Sequence, residues 1–463
     1  MSLTDLTPTE LEFEPDKYAS GANPPEVQAK VPCPVVDGLR IPRDRYVDKD
    51  HYEAERKVWL HSWQMAARVE EIPEAGDYTE YEIVGNSVLI IRQTDGSIKA
   101  LHNACRHRAT ELAKGCGRLP GGQIVCPFHG WRWNLDGSSS YVFGDAAFDA
   151  RTLAKSELAL RECLVEVWAG MVFINFDRNA RPLHEELSPA KEILDEAGVG
   201  NLRVKWWKQV VLDANWKIAM EAFLEGYHVM QTHPQLILSG TEEEALRQTY
   251  GTEYTAFRGG HGRFHSPRGE RASDWDYEDF IESNRLLAQG QDAMALDREV
   301  QIFEGMRNKA QGTTAEKVAA AIGALFEYAA GAGIPMTPPT PKINWGGEIF
   351  VFPNFFIFPM FANALSYRVR PHLDDPEKCI FDVWSLMTYP VGQEPERAEL
   401  RGVFDKDDTE NWGLIPRQDF SNIERQQRGL KSMSYEGHRL SPTVESTITN
   451  MHEEIDRVIA AHS

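Results

Sequence analysis

The sequence predicts an α+β protein with an all-β unit at about residues 42–178 and a larger unit at 179–463, in which helices cover an antiparallel sheet. One observation is a series of short alternating apolar runs in the first unit, turned at Gly85-Asn86 and Asp95-Gly96. A second is a change to helical periodicity, followed by a return of apolar strands after residue 347. With 463 residues, the chain is also too long for one compact core.

The chain is expected to begin with an arm and a helix. Residues 1–41 contain several prolines and few periodic apolar positions, so we expect them to pack on the larger unit. The stretch "DKDHYEAERKVWLHSW" has helical spacing over 48–63. The hairpins follow, and the strand signal continues through "QIVCPF", "GWRWNL" and "LVEVWAGMVFINFD".

The larger unit is expected to mix helices and strands. Helical patterns occur in "SPAKEILDEAG", "NWKIAMEAFLEGYHVMQ", "TAEKVAAAIGALFEYAAGAG" and the C-terminal "PTVESTITNMHEEIDRVIAAHS". Strands are expected in "EIFVF", "NFFIFP", "NALSYRVRPH" and "CIFDVWSLMTYP". Residues 236–315 are polar and locally rich in glycine, so we expect long loops there that shape a pocket.

The composition restricts the partners and the location. Seventy acidic against 49 basic residues give a net charge of −21, a field that repels nucleic acid and anionic lipid. The acidic "MSLTDLTPTELEFEPDK" does not resemble a signal peptide. Pro353 and Pro359 interrupt the apolar "EIFVFPNFFIFPMFANAL", which favours two buried strands joined near Pro353-Asn354 over a membrane span. Six scattered cysteines argue against a disulfide scaffold and favour a cytoplasmic setting.

Two mixed pairs of metal ligands lie in the first unit. Cys105 and His107 stand in one loop, Cys126 and His129 in another, and each pair follows a predicted strand. A two-iron cluster with two cysteines on one iron and two histidines on the other needs this set of ligands. Two cysteines and two histidines also satisfy zinc, although zinc motifs usually present Cys-x-x-Cys. Cys116 lies between the loops without a paired histidine, and we expect it to serve packing only.

A pair of histidines lies at the end of a predicted helix in the second unit. His228 and His233 are five residues apart, which puts them about 140° apart around an unbroken helix. They can converge only if the helix ends between them, and Pro234 provides a reason because it disfavours the α region for His233. Two imidazoles and a carboxylate on one face of an iron are typical of non-haem Fe(II) oxygenases. Taken alone, two histidines on a helix are more often structural or surface residues than metal ligands.

The residues around these ligands resemble one family. "CRHRATEL", "CPFHGWRWNLDG" and "NWKIAMEAFLEGYHVMQTHPQ" are similar to the terminal-oxygenase alpha subunits of the Rieske non-haem iron oxygenases, also called aromatic-ring-hydroxylating dioxygenases. The resemblance is sharp at residues 102–137 and 215–235 and extends in outline from about residue 42 to the end. It implies a Rieske [2Fe-2S] domain, a helix-grip (START-like) catalytic domain with a mononuclear Fe(II), and a homotrimer (α₃), with or without a small β subunit.

The resemblance also implies a third iron ligand on a late helix. "QDFSNIERQQRGL" fits the pattern of an Asp followed by a Glu and a Gln-x-Gly-Leu ending, which assigns Asp419. The alternative is Asp408 in "FDKDDTENW". This segment resembles the sequence pattern of some ring-hydroxylating dioxygenases, but an acidic run of this kind is also typical of a solvated loop.

Two further residues are candidates for catalytic roles. Glu225 is three residues before His228, so the two are expected to share a helix face and to hydrogen-bond. In the family this position, usually Asp, links the iron-ligand histidine to the second Rieske histidine of a neighbouring subunit. Glu221, one turn earlier, is the reserve candidate. Asn215 is expected either to hydrogen-bond near the iron or to serve as an N-cap.

By resemblance, the chain is expected to take electrons from an external reductase or ferredoxin and to hydroxylate a hydrophobic small molecule with O2. Aromatic ring dioxygenation is the main expectation, because the apolar stretches supply many aromatic side chains. The alternative is monooxygenation or demethylation of an aromatic ether or a quaternary amine. The quaternary amine stays open because a bridging Glu also occurs on the branch of the family that acts on such compounds. A Rieske electron carrier and a ligand-binding module without oxygenase activity are the alternatives from other classes.

Overall fold

A computed structural model describes residues 21–265, 275–338, 347–373 and 375–463. Its strands are β1 (Arg40–Pro42), β2 (Gln64–Arg68), β3 (Asp77–Ile83), β4 (Asn86–Arg92), β5 (Ile98–His102), β6 (Cys116–Arg118), β7 (Gln123–Val125), β8 (Arg132–Asn134), β9 (Ser139–Tyr141), β10 (Glu162–Trp168), β11 (Met171–Asn175), β12 (Arg203–Leu212), β13 (Glu253–Ala256), β14 (Gly262–His265), β15 (Gly347–Val351), β16 (Phe355–Met360), β17 (Asn363–His372), β18 (Asp375–Met387), β19 (Leu400–Val403) and β20 (Gly437–Arg439).

The helices are α1 (Pro25–Gln28), α2 (Asp44–Val47), α3 (Lys49–His61), α4 (Lys155–Leu158), α5 (Leu183–Glu186), α6 (Ala190–Glu196), α7 (Trp216–Glu221), α8 (Val229–Thr232), α9 (Glu242–Tyr250), α10 (Tyr277–Gln291), α11 (Asp297–Met306), α12 (Thr314–Gly331), α13 (Leu414–Leu430) and α14 (Ser446–Ala461). Helices α3, α10 and α12 begin at a residue whose side chain caps the first turn. Asp48 accepts from the backbone of His51 at the start of α3, and Thr313 with Glu316 forms a capping box at α12.

The first unit is all-β, as the sequence predicts. Seven antiparallel strands lie in the order β2-β11-β10-β5-β4-β3-β6, and β7-β8-β9 form a separate antiparallel sheet. Leu89, Leu101 and Trp133 are fully buried in the core of this unit, next to both cysteines of the ligand pairs. The cysteine loops are therefore anchored on packed strands.

The second unit contains an eight-stranded sheet, β13-β14-β15-β16-β17-β18-β12-β19, in which only the β12–β19 pair is parallel. Alternation gives the sheet two apolar faces. Phe356, Tyr367 and Phe381 belong to the core on the face covered by α7 and α13, whereas Ile357 and Trp384 belong to the core on the opposite face. The predicted antiparallel sheet covered by helices is therefore confirmed.

The described part of the arm packs on the C-terminal helix. Asn23 donates from Nδ2 to the carbonyl of Glu453 at 2.7 Å, and the backbone N–H of Val35 donates to Asp456 at 2.8 Å. Strand β1 pairs with β20 of the second unit. Residues 1–20, which the sequence also assigns to the arm, lie outside the described residues.

Three sequence expectations are wrong in detail. Residues 236–315 are not mainly loops, because α9, β13, β14, α10 and α11 lie there. These elements bury apolar side chains such as Phe303 under a polar outer face. Residues 266–274 of this stretch lie outside the described part. Asn86 begins β4, so the first hairpin turns at Val84-Gly85 instead. Cys116 is exposed on β6 and is not a packing residue.

The long apolar stretch forms β15, β16 and the start of β17, with the first turn at Pro353-Asn354 as expected. Across the described ranges, no helix combines the length and the apolar composition that crossing a membrane would require.

Candidate active site

The cysteine loops are built alike. Cys105 and Cys126 are buried, and each carbonyl accepts a backbone N–H from four residues on, Ala109 and Gly130, which both have positive φ. Backbone N–H groups of the residues just after each cysteine point at its sulfur. Burial raises the pKa of Cys105, whereas at Cys126 these donors outweigh burial and lower the pKa of the thiol. Sulfurs that accept several N–H groups suit thiolate ligands.

His107 and His129 complete this constellation. Their ring centroids are 4.8 Å apart, and His107 stacks on Trp131 at 4.8 Å with 10° between the planes. Nδ1 of His107 is buried and has no hydrogen-bond partner among the described residues. Such a nitrogen is costly unless a metal ion takes its lone pair. The residues therefore fit the histidine-bound iron of a two-iron cluster.

A single zinc ion fits these four residues less well. Ligands of one zinc ion must converge around one point. In the described ranges, the groups of three or more ligand atoms that lie within 4.8 Å of one another do not include Cys105, His107, Cys126 and His129. Two metal ions joined by sulfide accommodate ligands spread over two centres.

The predicted helix around His228 is interrupted twice. Helix α7 ends at Glu221, and His228 is the N-cap of the short helix α8. His233 is the C-cap of α8 and has φ −119° and ψ 64°, outside the α region, immediately before Pro234. The helix therefore ends before His233 as the proline predicts, but the continuous helix expected through Glu225 is wrong.

The two histidines converge with Asp419. Nε2 of His233 is 3.0 Å from Oδ1 of Asp419, and Nε2 of His228 is 3.7 Å from the same oxygen. Asp419 is buried on α13. Asp408 lies in an exposed turn, where its carboxylate accepts the backbone N–H groups of Glu410 and Asn411. The arrangement supplies two imidazoles and one carboxylate, the set that suits a mononuclear non-haem iron.

The charge around His228 favours a cation. Burial by itself lowers the pKa of His228, but the carboxylates of Glu225, Asp419 and Glu348 outweigh it and raise the pKa to about 9. An imidazole that attracts a proton so strongly lies in a surplus of negative charge. A divalent metal ion would neutralise the same surplus, so these residues fit the ion that the ligand set indicates.

Glu225 holds His228 at two atoms. Oε1 of Glu225 is 2.7 Å from Nδ1 of His228, and Oε2 accepts the backbone N–H of His228 at 2.9 Å. A turn between α7 and α8 produces this contact, not a shared helix face. Glu221, the reserve candidate, instead accepts from Tyr46 and lies 2.8 Å from Nε2 of His452.

Asn215 is an N-cap. Its side-chain oxygen accepts the backbone N–H of Lys217 at 3.0 Å, and its Nδ2 donates to the carbonyls of Tyr46 and Pro376. Among the described residues, none of its hydrogen bonds reaches the three ligand candidates. Of the two expectations for Asn215, the structure supports capping and not a bond beside the metal.

Sequence reasoning missed three residues near the triad. Gln418 contacts the outer nitrogen of His233 at 2.8 Å, and Tyr254 accepts the backbone N–H of Gly226 at 3.0 Å. The carboxylate of Glu348 helps to raise the pKa of His228 and, after burial, that of Tyr367. Only Glu348 carried a signal, because it is a carboxylate in the otherwise apolar strand "EIFVF".

A second group of possible ligands does not form a metal site. Ligand atoms of His61, Asp177 and His462 lie within 4.8 Å of one another. The two imidazole rings are stacked, however, with centroids 3.5 Å apart and 11° between their planes. Lone pairs of imidazole nitrogens lie in the ring plane, so two parallel rings cannot both direct them at one ion. The cluster is a histidine–carboxylate contact with ring stacking.

Comparison with protein families gives two matches. The Rieske [2Fe-2S] domain model matches residues 62–145, and the model of the ring hydroxylating alpha subunit (catalytic domain) matches residues 199–461, more than half of the chain. Together these matches imply a Rieske cluster and a mononuclear iron.

Similar proteins include two kinds of oxygenase. A carnitine monooxygenase oxygenase subunit from Acinetobacter pittii is 31% identical over 42% of this chain. The match spans 52% of that relative, so the chain spans about half the length of the first curated relatives it matches. Biphenyl dioxygenase subunit alpha from Paraburkholderia xenovorans is 27% identical over 92% of this chain and 87% of its own length.

Solved structures share the fold. A quaternary ammonium Rieske monooxygenase superposes with a TM-score of 0.60 at 19% identity, covering 90% of this chain and 94% of its own. Naphthalene 1,2-dioxygenase from a Rhodococcus species has a TM-score of 0.58 at 22% identity, covering 92% and 95%.

Proposed function

The chain belongs to the ring hydroxylating alpha subunit family, and from this premise we propose that it is the terminal oxygenase component of a Rieske non-haem iron oxygenase. It would use O2 and electrons from a reductase or ferredoxin to hydroxylate a hydrophobic small molecule. The observation that carries the proposal is the presence of both ligand constellations in one chain, with His228, His233 and Asp419 gathered around one point. An electron carrier would need only the first constellation.

We assign the cofactors to named residues. Cys105, His107, Cys126 and His129 would hold the [2Fe-2S] cluster, and His228, His233 and Asp419 the mononuclear iron. When bound, the two centres supply single-electron storage and oxygen activation. The chain supplies buried cysteine thiols and a hydrogen-bond partner for the outer nitrogen of His228 and for that of His233.

Glu225 is proposed to connect the mononuclear iron site of one subunit with the Rieske cluster of a neighbouring subunit. Its carboxylate is buried against His228, while the adjacent Tyr227 is 57% exposed. On the cluster side, Phe128, next to His129, is 61% exposed. Both constellations thus reach the surface beside exposed aromatic side chains, which suits a homotrimer in which Glu225 meets His129 of the partner subunit. A small β subunit and a cytoplasmic location remain part of the proposal.

An aromatic wall supports ring dioxygenation as the main activity. Phe223 lies against Tyr367 and Phe381, with ring centroids 4.5 and 5.4 Å apart. The rings of Phe356 and Tyr367 stack at 5.6 Å. These side chains cover the sheet face on which α7 and α13 pack, and α13 carries Asp419, so an apolar or aromatic substrate at the triad would find complementary surface there.

Glu348 favours a second candidate, monooxygenation or demethylation of an amine. A carboxylate beside the triad would disfavour a purely hydrocarbon substrate and would attract a cationic one. The matches to carnitine monooxygenase and glycine betaine monooxygenase oxygenase subunits point the same way. This candidate uses the same metal centre and differs in the group that is oxidised.

The test is the mass of the product formed in labelled O2, with a surrogate reductase and a panel of aromatic compounds and quaternary amines. Two labelled atoms in one product support ring dioxygenation, and one atom or loss of a methyl group supports the second candidate. The protein is tested with both metal centres loaded. If no compound of the panel then stimulates oxygen consumption, the result favours an electron carrier or a binding module. Asp419→Ala is the matched inactive control.

A further inference from the structure

Two glutamine side chains connect the segments that carry His233 and Asp419. Oε1 of Gln418 lies 2.8 Å from Nδ1 of His233. Gln235 donates from Nε2 to the same oxygen at 2.9 Å, and Gln418 donates back from Nε2 to Oε1 of Gln235 at 3.3 Å. The two amides form a reciprocal pair behind the imidazole ring.

The local sequence explains how the pair forms. Gln418 precedes Asp419 on α13, where successive side chains are about 100° apart. One of them can therefore reach the triad while the other reaches the outer edge of the His233 ring. Gln235 follows His233 by two residues, in the turn Pro234–Leu236. Each segment that provides a ligand candidate also provides one amide.

The contact between Gln418 and His233 determines which nitrogen of His233 is free to bind a metal ion. A metal-bound imidazole uses one nitrogen as the ligand, and its other N–H needs an acceptor. An amide oxygen only accepts, so its contact with Nδ1 assigns the proton to Nδ1 and leaves Nε2, which faces Asp419, free.

A concerted flip of both amides would preserve the pair but direct an N–H at Nδ1. His233 would then carry its proton on Nε2, which a metal ion at the triad excludes. Because each amide bonds the other, neither can turn alone without breaking the pair. The pair therefore holds one orientation once the metal site is filled.

We propose that Gln418 is a positioning residue for His233 and that Gln235 acts through it. The inference rests on the metal triad of the proposed function. Gln418 is the neutral counterpart of Glu225, which holds His228 with a charged carboxylate. One histidine ligand is thus oriented without adding a further negative charge to a site that already contains Asp419, Glu225 and Glu348.

The test uses Co²⁺ as the probe and the full chain with its Rieske cluster retained and its mononuclear metal removed by chelation. Calorimetry gives the Kd, and the EPR spectrum of bound Co²⁺ reports the ligand geometry while the oxidised cluster is silent. We expect Gln418→Ala to raise the Kd about 10- to 100-fold and to change the spectrum. Gln418→Glu, which keeps the acceptor, should restore binding.

The matched control is Gln426→Ala, an exposed glutamine on the same helix, which should bind like the wild type. Gln235→Ala should weaken binding in the wild-type background and add nothing to Gln418→Ala, because it acts through Gln418. If Gln418→Ala loses its cluster, Gln418→Met, which keeps the length of the side chain, replaces it.

An unchanged Kd and spectrum in Gln418→Ala would overturn the inference. Asp419→Asn separates this failure from failure of the proposed function. If Asp419→Asn loses Co²⁺ while Gln418→Ala keeps it, only the positioning role is wrong. If Asp419→Asn also binds like the wild type, the metal triad itself is wrong.

Discussion

At the scale of single residues, His228 and His233 differ in the group that holds the outer nitrogen. His228 has the carboxylate of Glu225 at 2.7 Å, and His233 has the amide of Gln418 at 2.8 Å. A carboxylate partner makes an imidazole a stronger ligand than a neutral partner does. The two histidines are therefore not equivalent, and substitutions around them should have separable effects.

Asp419 is expected to be required for the mononuclear iron. Asp419→Ala should lose that iron and all product formation while the Rieske absorption stays unchanged, because the cluster ligands lie in the other unit. Metal analysis alongside absorption measures both centres. Asp408→Ala, in an exposed turn, is the matched control and should keep both. Mononuclear iron retained in Asp419→Ala would show that the third ligand is elsewhere.

Glu225 is expected to matter for turnover more than for metal content. Glu225→Ala removes none of the proposed ligands, so both iron centres should still be occupied when Fe(II) is supplied in excess, but product formation should fall about 100-fold as the histidine loses its partner. Stopped-flow oxidation of the reduced cluster in the presence of O2 and substrate measures the affected step. Glu225→Gln, which keeps an acceptor without the charge, separates orientation from charge. Near-normal turnover in Glu225→Ala would refute the role.

Glu348 is expected to distinguish the two candidate substrate classes. If the substrate is cationic, Glu348→Gln should raise its KM about 10- to 100-fold, because the variant loses the negative charge that attracts the cation. A neutral aromatic substrate should keep its KM. Glu253→Gln, at an exposed position on β13, two strands away in the same sheet, is the control. An unchanged KM for every cationic substrate turned over would remove the argument for an amine.

Single residues were predictable where a motif or a short spacing defined them. The cysteine–histidine loops and the three-residue spacing of Glu225 and His228 gave the right neighbours, even though a turn replaces the expected helix. Gln418 was not predictable, because a glutamine amide can bond almost any polar group. Its role depends on α13 packing beside the segment that carries His233 and Gln235, which the local sequence does not specify.

At the scale of elements, the break between α7 and α8 determines where His228 lies. In a continuous helix, the N–H of Gly226 would bond the carbonyl four residues earlier. Here it donates to the hydroxyl of Tyr254 at 3.0 Å instead. Tyr254 belongs to β13, in the region expected to be loops, so the competing partner could not be found by periodicity. Sheet strands, which depend on local alternation, were predicted more accurately.

Gly226 is expected to tolerate a side chain poorly, because the groups around it would have to move. A Cβ there would lie 3.1 Å from the Tyr254 hydroxyl and 3.3 Å from the ring of Phe264, which stack on each other. Gly226→Ala should therefore cost about 1–3 kcal/mol in unfolding free energy and weaken mononuclear metal binding. Urea unfolding and metal titration measure the two effects.

The matched control is Gly323→Ala in the middle of α12, where an added Cβ meets nothing within 4 Å. That change should stabilise the protein by up to about 1 kcal/mol, because alanine favours helix more than glycine does. If Gly226→Ala proves as harmless as Gly323→Ala, the tight packing behind the His228 turn does not constrain the site.

At the scale of the whole molecule, a buried polar network ties both ends of the chain to the helix before the triad. Arg45 on α2 pairs with Asp456 on α14 at 2.6 Å and donates to Nδ1 of His452 at 3.0 Å. Nε2 of His452 lies 2.8 Å from Glu221 on α7. Because the partners are separated by up to 411 residues, no local pattern predicts them. The sequence indicated only that an arm and a C-terminal helix exist.

This network makes stability depend on pH through His452. Burial lowers the pKa of His452 to about 4; Glu221 opposes the shift and Arg45 adds to it. In the unfolded chain the pKa is about 6.5. The folded chain keeps His452 neutral, so its contribution is fully present above about pH 6.5 and is lost as the pH falls through about 4. The difference amounts to about 3 kcal/mol of unfolding free energy.

His452→Gln isolates this contribution from the other titrating groups. Glutamine can accept from Arg45 and donate to Glu221, as the neutral imidazole does, but it cannot take up a proton. Between pH 6.5 and 4, the unfolding free energy of the variant should therefore fall by about 3 kcal/mol less than that of the wild type. His184→Gln, at an exposed position, should keep the wild-type slope. Equal slopes for His452→Gln and wild type would mean that the network holds a charged imidazole, and Glu221 would then have to bind it as a buried ion pair beside Arg45.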